Sequence, residues 1–397
     1  MYLAKTGTDC VGKRLAVDIR NAAGSVLLKA GTVLTPAYIE ILLQKGYTSV
    51  YIADRPDETI EGLQSVVSVE SVVRATRAVK SVADAIASGQ RPNMRELLIV
   101  TDLLVDEVIH NESLIASVNQ LKSLDEYTFF HSVNVCIYSL IIGCKAGLSL
   151  KELRSLSVGA LLHDIGKVAV PLPILKKPGK LLPEEFEAIK FHTWKGFELT
   201  LKNLAFNTRA AHVALQHHER LDGSGYPRSL QDDEIHVFGR ICAVADVFDA
   251  MTSDRSYRPA FRHHEAMAAL SNLSGKELDA NFVDILMRRV AHYPNGTWVK
   301  LSDGSYGCVI AQDATDSTRP VVRLACSGSI IGDPAGHPIA GKIVSKESKE
   351  SQESVPSDLE AIKGLQPNDA DVIELAQHPT LEIVSVLDGD PFPTLSG

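Results

Sequence analysis

Residues 149–167, SLKELRSLSVGALLHDIGK, begin as a helix and close on a histidine–aspartate pair. Ser149 and Glu152 have the spacing of a capping box, in which two side chains satisfy the exposed amides of a helix start. The helix they open leads straight into Leu161-Leu162-His163-Asp164. The same helical period extends in both directions. Upstream, residues 70–87, 95–109 and 114–124 repeat apolar side chains at three- and four-residue steps. Downstream, residues 210–219 and 234–251 are amphipathic, with glycine- and proline-bearing loops between them. No strand is needed from about 60 to 292, which predicts a helical connector over 58–123 and a compact helical domain over 124–292.

The flanks change period. Residues 13–19 and 25–34 read as a hairpin around Asn21-Ala-Ala-Gly24. Thr35-Pro36 supplies an N-cap and a first-turn proline for a helix ending at Gly46, and residues 47–53 read as a strand. This predicts a small α+β module over 1–57, with residues 54–57 as its exit linker. After Tyr293-Pro294, residues 296–312 read as two strands around an Asp303-Gly304 turn, followed by strands in 319–325 and 381–387. They predict a strand-rich C-terminal module over 293–397, with the Ser/Glu/Lys-rich stretch 345–358 as a flexible tether. The expected fold is mainly α: a helical domain between two small strand-rich modules.

Composition narrows the function. With 397 residues, 45% hydrophobic and 22% charged, the chain can bury sizeable cores, which excludes disorder as its main state. A net charge of −9 argues against a wide basic face for a nucleic-acid polymer and leaves room only for a small phosphate pocket. The longest apolar stretch, Val135 to Leu148, contains Lys145 and falls short of the ~20 residues of a membrane span. No apolar signal region opens the chain, and the six cysteines include no CxxC pair. The expected compartment is the cytoplasm, with reduced thiols.

Eleven of the 13 histidines lie between His110 and His292. Several have carboxylates close by: His163-Asp164, His217-His218-Glu219, and Asp246 with Asp249 nearly one helical turn on. Imidazole and carboxylate together suit Zn, Mn or Fe. Two such ions ~3.5–4 Å apart lower the pKa of a shared water and clamp both oxygens of an in-line phosphoryl displacement.

The pair His163-Asp164-Ile-Gly166-Lys167, followed by His217-His218-Glu219-Arg-Leu-Asp222-Gly223-Ser-Gly225-Tyr226-Pro227, resembles the HD-GYP family of cyclic-di-GMP phosphodiesterases. Matching residues follow in order: Asp125 with His131 and Asn134, His192 with Gly196, and Asp246 with Asp249 before Arg255-Ser-Tyr257-Arg258. The resemblance covers about 110 to 292. It implies metal ligands at His131, His163, Asp164, His192, His217, His218 and Asp246, with Asp164 bridging two divalent ions, Fe or Mn. A metal-bridging hydroxide would attack phosphorus in cyclic-di-GMP, giving pGpG, GMP or both.

Other roles follow from residue type and position. Lys167, one helical turn beyond His163, is placed to steady the attacked phosphate or the metal-bound hydroxide. Arg255 and Arg258 suit a phosphate clamp, and Tyr226 sits in a loop whose glycines permit close approach to a ligand. Glu219 and Asp249 look like groups that hold imidazole tautomers. His263-His264-Glu265 repeats part of the motif without its loop and reads as solvated, whereas His110, His212, His236 and His292 read as structural. The long helices before the domain suggest a homodimer; the signalling partner is unknown.

Two rivals stand beside this reading: hydrolysis of another cyclic dinucleotide, and a non-catalytic cyclic-di-GMP sensor. There is one departure from the family pattern. Some members carry a glutamate, which helps bind a third metal, where this chain has Tyr127. The expectation is therefore two ions and slow conversion of pGpG.

Overall fold

The computed structural model describes residues 2–20, 25–45, 47, 49–53, 66–111, 127–175, 177, 179–203, 208–253, 261–327 and 365–387. Its fold is mainly α, with a small N-terminal sheet and a larger C-terminal one. Strands β1 (Tyr2–Lys5), β2 (Arg14–Leu15) and β5 (Ser49–Ala53) form an antiparallel sheet in the order β1-β5-β2. The expected hairpin is present as β3 (Ile19–Arg20) paired with β4 (Val26–Leu28). Helix α1 (Pro36–Gln44) starts where Thr35 predicts, its hydroxyl accepting from the Tyr38 amide at 3.3 Å.

Helices α2 (Val69–Ala87) and α3 (Met94–His110) lead into α4 (Tyr127–Lys145) and α5 (Leu150–Leu161). The helix expected over 114–124 lies outside the described residues. The Ser149–Glu152 capping box forms as its spacing requires. Short helices α6 (Leu172–Leu175) and α7 (Pro183–Lys190) precede α8 (His192–Asn203), α9 (Thr208–Gln216), α10 (Val237–Thr252), α11 (His263–Leu273) and α12 (Ala280–Arg289). One apolar core runs from Val66 to Val290, so α2 and α3 pack in the same core as the helices after them. Leu97 and Leu104 of α3 are fully buried in it, as are Tyr138 of α4 and Phe248 of α10, which meet edge to face at 5.1 Å.

The C-terminal sheet is antiparallel, in the order β10 (Ile383–Val386), β6 (Trp298–Leu301), β7 (Tyr306–Ala311), β8 (Val321–Ser327), β9 (Leu365–Glu374). Strand β9, with Pro367 and two aspartates, carries no alternating apolar signal. The tether predicted over 345–358 lies outside the described residues. Alternation along β6 and β7 sends neighbouring side chains to opposite faces. Trp298 and its cross-strand partner Cys308 enter a core shared with Tyr2, Leu15, Leu42 and Ile52 of the N-terminal module. Val299 and Val309 face a second core with Leu301, Val322 and Leu375. The two strand-rich modules, far apart in sequence, thus pack on each other. Arg262 Nη1 donates to the Val386 carbonyl at 2.8 Å, tying the start of α11 to β10.

Candidate metal centre

Helix ends deliver most of the cluster. His131 projects from α4; His163 and Asp164 follow the end of α5; His192 opens α8; His217 and His218 follow α9; and Asp246 lies on α10. The ligand atoms of Asp164, His192, His217 and His218 all lie within 4.8 Å of one another, as do those of His131, His163 and Asp164. Asp164 belongs to both groups and divides its oxygens between them. Its Oδ2 stands 3.4 Å from His163 Nε2 and 3.8 Å from His131 Nε2. Its Oδ1 stands 3.4 Å from His192 Nε2 and 3.8 Å from His217 Nε2. Asp246 closes the ring, 3.2 Å from His131 Nε2 and 3.9 Å from His218 Nδ1.

Hydrogen bonds on the far side of the rings set which nitrogen faces inward. The last carbonyls of a helix have no intrahelical partner, and three histidines use them. His163 Nδ1 donates to Ala160 O at 2.8 Å, His192 Nδ1 to Ile189 O at 2.6 Å, and His217 Nδ1 to the Val213 and Ala214 carbonyls at 3.1 and 3.0 Å. A carbonyl only accepts, so each Nδ1 carries a proton and each ring turns its Nε2 towards Asp164. His131 is oriented instead by a carboxylate, Asp249 Oδ2, at 2.7 Å from Nδ1. Asp249 Oδ1 in turn accepts from Asn134 Nδ2 at 2.9 Å.

Such a convergence of lone pairs is unfavourable by itself. His192 and His217 bring their Nε2 atoms within 3.4 Å of each other. Among the described residues, His163 Nε2 and Asp164 Oδ1 are buried with no hydrogen-bond partner. Burial, reinforced by the neighbouring imidazoles, holds His217 well below the usual histidine range, and burial takes His218 down to about 3. Burial works against ionisation of Asp164, but Lys167 and the surrounding histidines outweigh it and keep the carboxyl well below its usual range. Buried imidazole nitrogens gathered around an ionised carboxylate are a donor set that fits divalent cations.

The periphery departs in part from expectation. Lys167 Nζ bonds Asp164 Oδ2 from the partly exposed rim of the site. Tyr226 stacks on His218, with ring centroids 4.6 Å apart and planes at 28°. Gly225 has no room for a side chain: a Cβ there would stand 2.4 Å from the Arg220 amide nitrogen and 2.5 Å from His218 O. The loop thus folds back onto its own start, where the Tyr226 amide donates to His218 O at 3.1 Å. Gly223 adopts φ +78°, as a left-handed turn position requires.

Glu219 does not hold an imidazole. Its buried carboxylate accepts from the Arg228 and Leu230 amides at 2.8 and 3.1 Å, so it fixes the loop carrying Tyr226. His263 is not solvated either: it is buried, with Nδ1 3.0 Å from Ala291 O, because α11 turns this face to Phe248. His212 and His236 stack on each other away from the cluster. Arg255 and Arg258 lie outside the described residues. Asn134, three residues beyond His131 on the same helix face, joins the site through Asp249, and that spacing is the sequence signal for it.

The helical bundle with a histidine–carboxylate cluster at its helix ends defines an HD-type domain. Residues 110–282 match the HD domain family. The chain is 37% identical over 225 residues to a cyclic di-GMP phosphodiesterase of Pseudomonas aeruginosa, covering 56% of this chain and 54% of that protein. It is 43% identical over 173 residues to a cyclic di-GMP phosphodiesterase of Thermotoga maritima, covering 42% and 47%. It is 37% identical over 190 residues to a 3'3'-cGAMP-specific phosphodiesterase of Vibrio cholerae, covering 48% and 43%. The chain spans about half the length of the curated relatives it matches.

Proposed function

We propose that this chain is a metal-dependent phosphodiesterase that hydrolyses cyclic-di-GMP to pGpG, GMP or both. The observation that carries the reading is the division of Asp164, with one oxygen facing His131 and His163 and the other facing His192 and His217. His131, His163, Asp164 and Asp246 would hold one divalent ion, and Asp164, His192, His217 and His218 the other. The imidazole and carboxylate donors, without thiolate, favour Mn or Fe. Bound there, the ions supply a water of lowered pKa and charge stabilisation for an in-line displacement at phosphorus.

The protein's own groups do the rest. Asp249 and the helix-end carbonyls hold His131, His163, His192 and His217 with Nε2 turned inward. Lys167 balances the charge of Asp164 and, at the rim, is available to a phosphate oxygen. Arg255 and Arg258 grip phosphate, and Tyr226 limits the pocket on the side of His218. Tyr127 offers no carboxylate, which supports two ions and accumulation of pGpG. We place the enzyme in the cytoplasm, where its cysteines stay reduced; no described helix is long and apolar enough to cross a membrane. A homodimer through α3, whose Leu98 and Ile99 stay exposed, completes the proposal.

The test is turnover of cyclic-di-GMP by protein loaded anaerobically with Mn or Fe, with metal counting and a product time course. The double variant His163→Ala/Asp164→Ala should lose activity and most of its metal, and retained turnover would sink the mechanism. Cleavage of 3'3'-cGAMP in preference would transfer the reading to that substrate, as the Vibrio relative's name allows. Binding of cyclic-di-GMP without turnover would leave a sensor. Three tight ions, or GMP forming without a pGpG phase, would refute the role given to Tyr127.

A further inference from the structure

Helix α7 is short, and none of its residues is buried. Polar contacts at its start hold it in place. The Glu185 carboxylate accepts from the Leu182 amide at 2.7 Å and pairs with Lys177 at 2.6 Å. Its aromatic residue, Phe186, remains 43% exposed and touches the Tyr226 ring edge to face, with centroids 6.0 Å apart and planes at 78°. Since Tyr226 lies flat on His218, a continuous line of rings runs from the metal cluster to the surface of α7. Lys190, one turn after Phe186, sets Nζ 4.9 Å from the Phe186 centroid and 5.6 Å from that of Tyr226.

An apolar ring left open at the mouth of a site for anionic phosphates, with an ammonium group beside it, has the chemistry of a nucleotide wall. Aromatic side chains stack on bases, and a cation at the edge meets phosphate oxygens. We infer that Phe186 and Lys190, with Tyr226, form the base-binding wall of this site: Phe186 stacks a purine of the substrate and Lys190 contacts its phosphate. The inference rests on the nucleotide reading of the metal centre and extends it to residues outside the HD and GYP motifs. A structural role alone would leave Phe186 with no ligand to contact, and its partial exposure on a helix without buried residues gives it little core to support.

The test reads base binding without requiring that cyclic-di-GMP be the substrate. Hydrolysis of bis(p-nitrophenyl) phosphate by the full-length, metal-loaded chain is inhibited competitively with GMP and, separately, with inorganic phosphate. Loss of a stacking platform worth about 1–3 kcal/mol corresponds to a 5- to 150-fold rise in the GMP inhibition constant. Phe186→Ala and Phe186→Leu should both show that rise, Phe186→Tyr should restore tight binding, and the phosphate constant should hold for all three. Metal content and melting temperature serve as checks on folding. Equal rises for GMP and phosphate, or a GMP constant within twofold of wild type in the Ala and Leu variants, would overturn the wall. Failure of wild-type protein to cleave cyclic-di-GMP would count against the proposed substrate only, since GMP inhibition still reports on the wall.

Discussion

Gly166 offers a sharp test of how the site is built, because it sits between two segments that each deliver a ligand. It lies in the 3-10 turn Ile165–Ala169, two residues after Asp164, pressed against the start of α8. A Cβ added there would stand 1.9 Å from His192 O and 2.5 Å from the Gly196 nitrogen, where real Cβ contacts essentially never fall below 3.0 Å. Both obstacles are backbone, so no rotamer change relieves them. In Gly166→Ala the two segments must separate by about 1 Å or more, taking His192 away from Asp164, where Nε2 and Oδ1 now stand 3.4 Å apart. Metal–ligand distances tolerate only about 0.2 Å. The variant should therefore lose the ion expected between Asp164, His192, His217 and His218, and activity should fall about 100-fold. Overpacking should also cost about 1–3 kcal/mol, a drop in melting temperature of several degrees. Metal counting after dialysis, with a thermal melt, reads both effects. Two tightly held ions per chain and an unchanged melt would refute the reasoning.

Asp249→Asn keeps the shape of the partner of His131 but removes its charge, and should weaken metal binding about 10- to 100-fold with little change in melting temperature; unchanged affinity in a metal titration would remove Asp249 from its orienting role. Burial works to lower His131, but its bonds to Asp246 and Asp249 outweigh this and push it up to about 10, whereas His218 is already neutral. Metal binding at neutral pH should thus displace a proton from His131, and apparent affinity should rise about tenfold per pH unit from pH 6 to 9. A flat profile, or calorimetry in two buffers showing no proton release, would contradict it. Arg255→Ala and Arg258→Ala should raise KM and leave metal content unchanged, and a parallel loss of metal would make these residues structural. His263→Ala, which vacates a buried position packed on Phe248, should lower the melting temperature.

Local chemistry in the sequence was enough for the helices, their caps and most of the candidate ligands. Periodicity and capping signals act within a few residues, so α1, α5 and α10 appear close to where the sequence predicts them. The HDxGK and HHExxDGxGYP strings similarly concentrate metal-binding side chains within short windows. The structure decided what depends on distant partners. Glu219 lies beside two histidines in sequence, yet the folded loop gives its carboxylate two amides to satisfy. His263 shares its local string with a site residue and is buried only because α11 packs towards Phe248. Trp298 and Cys308 join the core of a module almost 300 residues earlier. Most of all, the division of Asp164 between two sets of imidazoles arises only when four chain segments converge. A spacing pattern records which donors exist, while the direction of each lone pair is set by the carbonyl or carboxylate behind its ring.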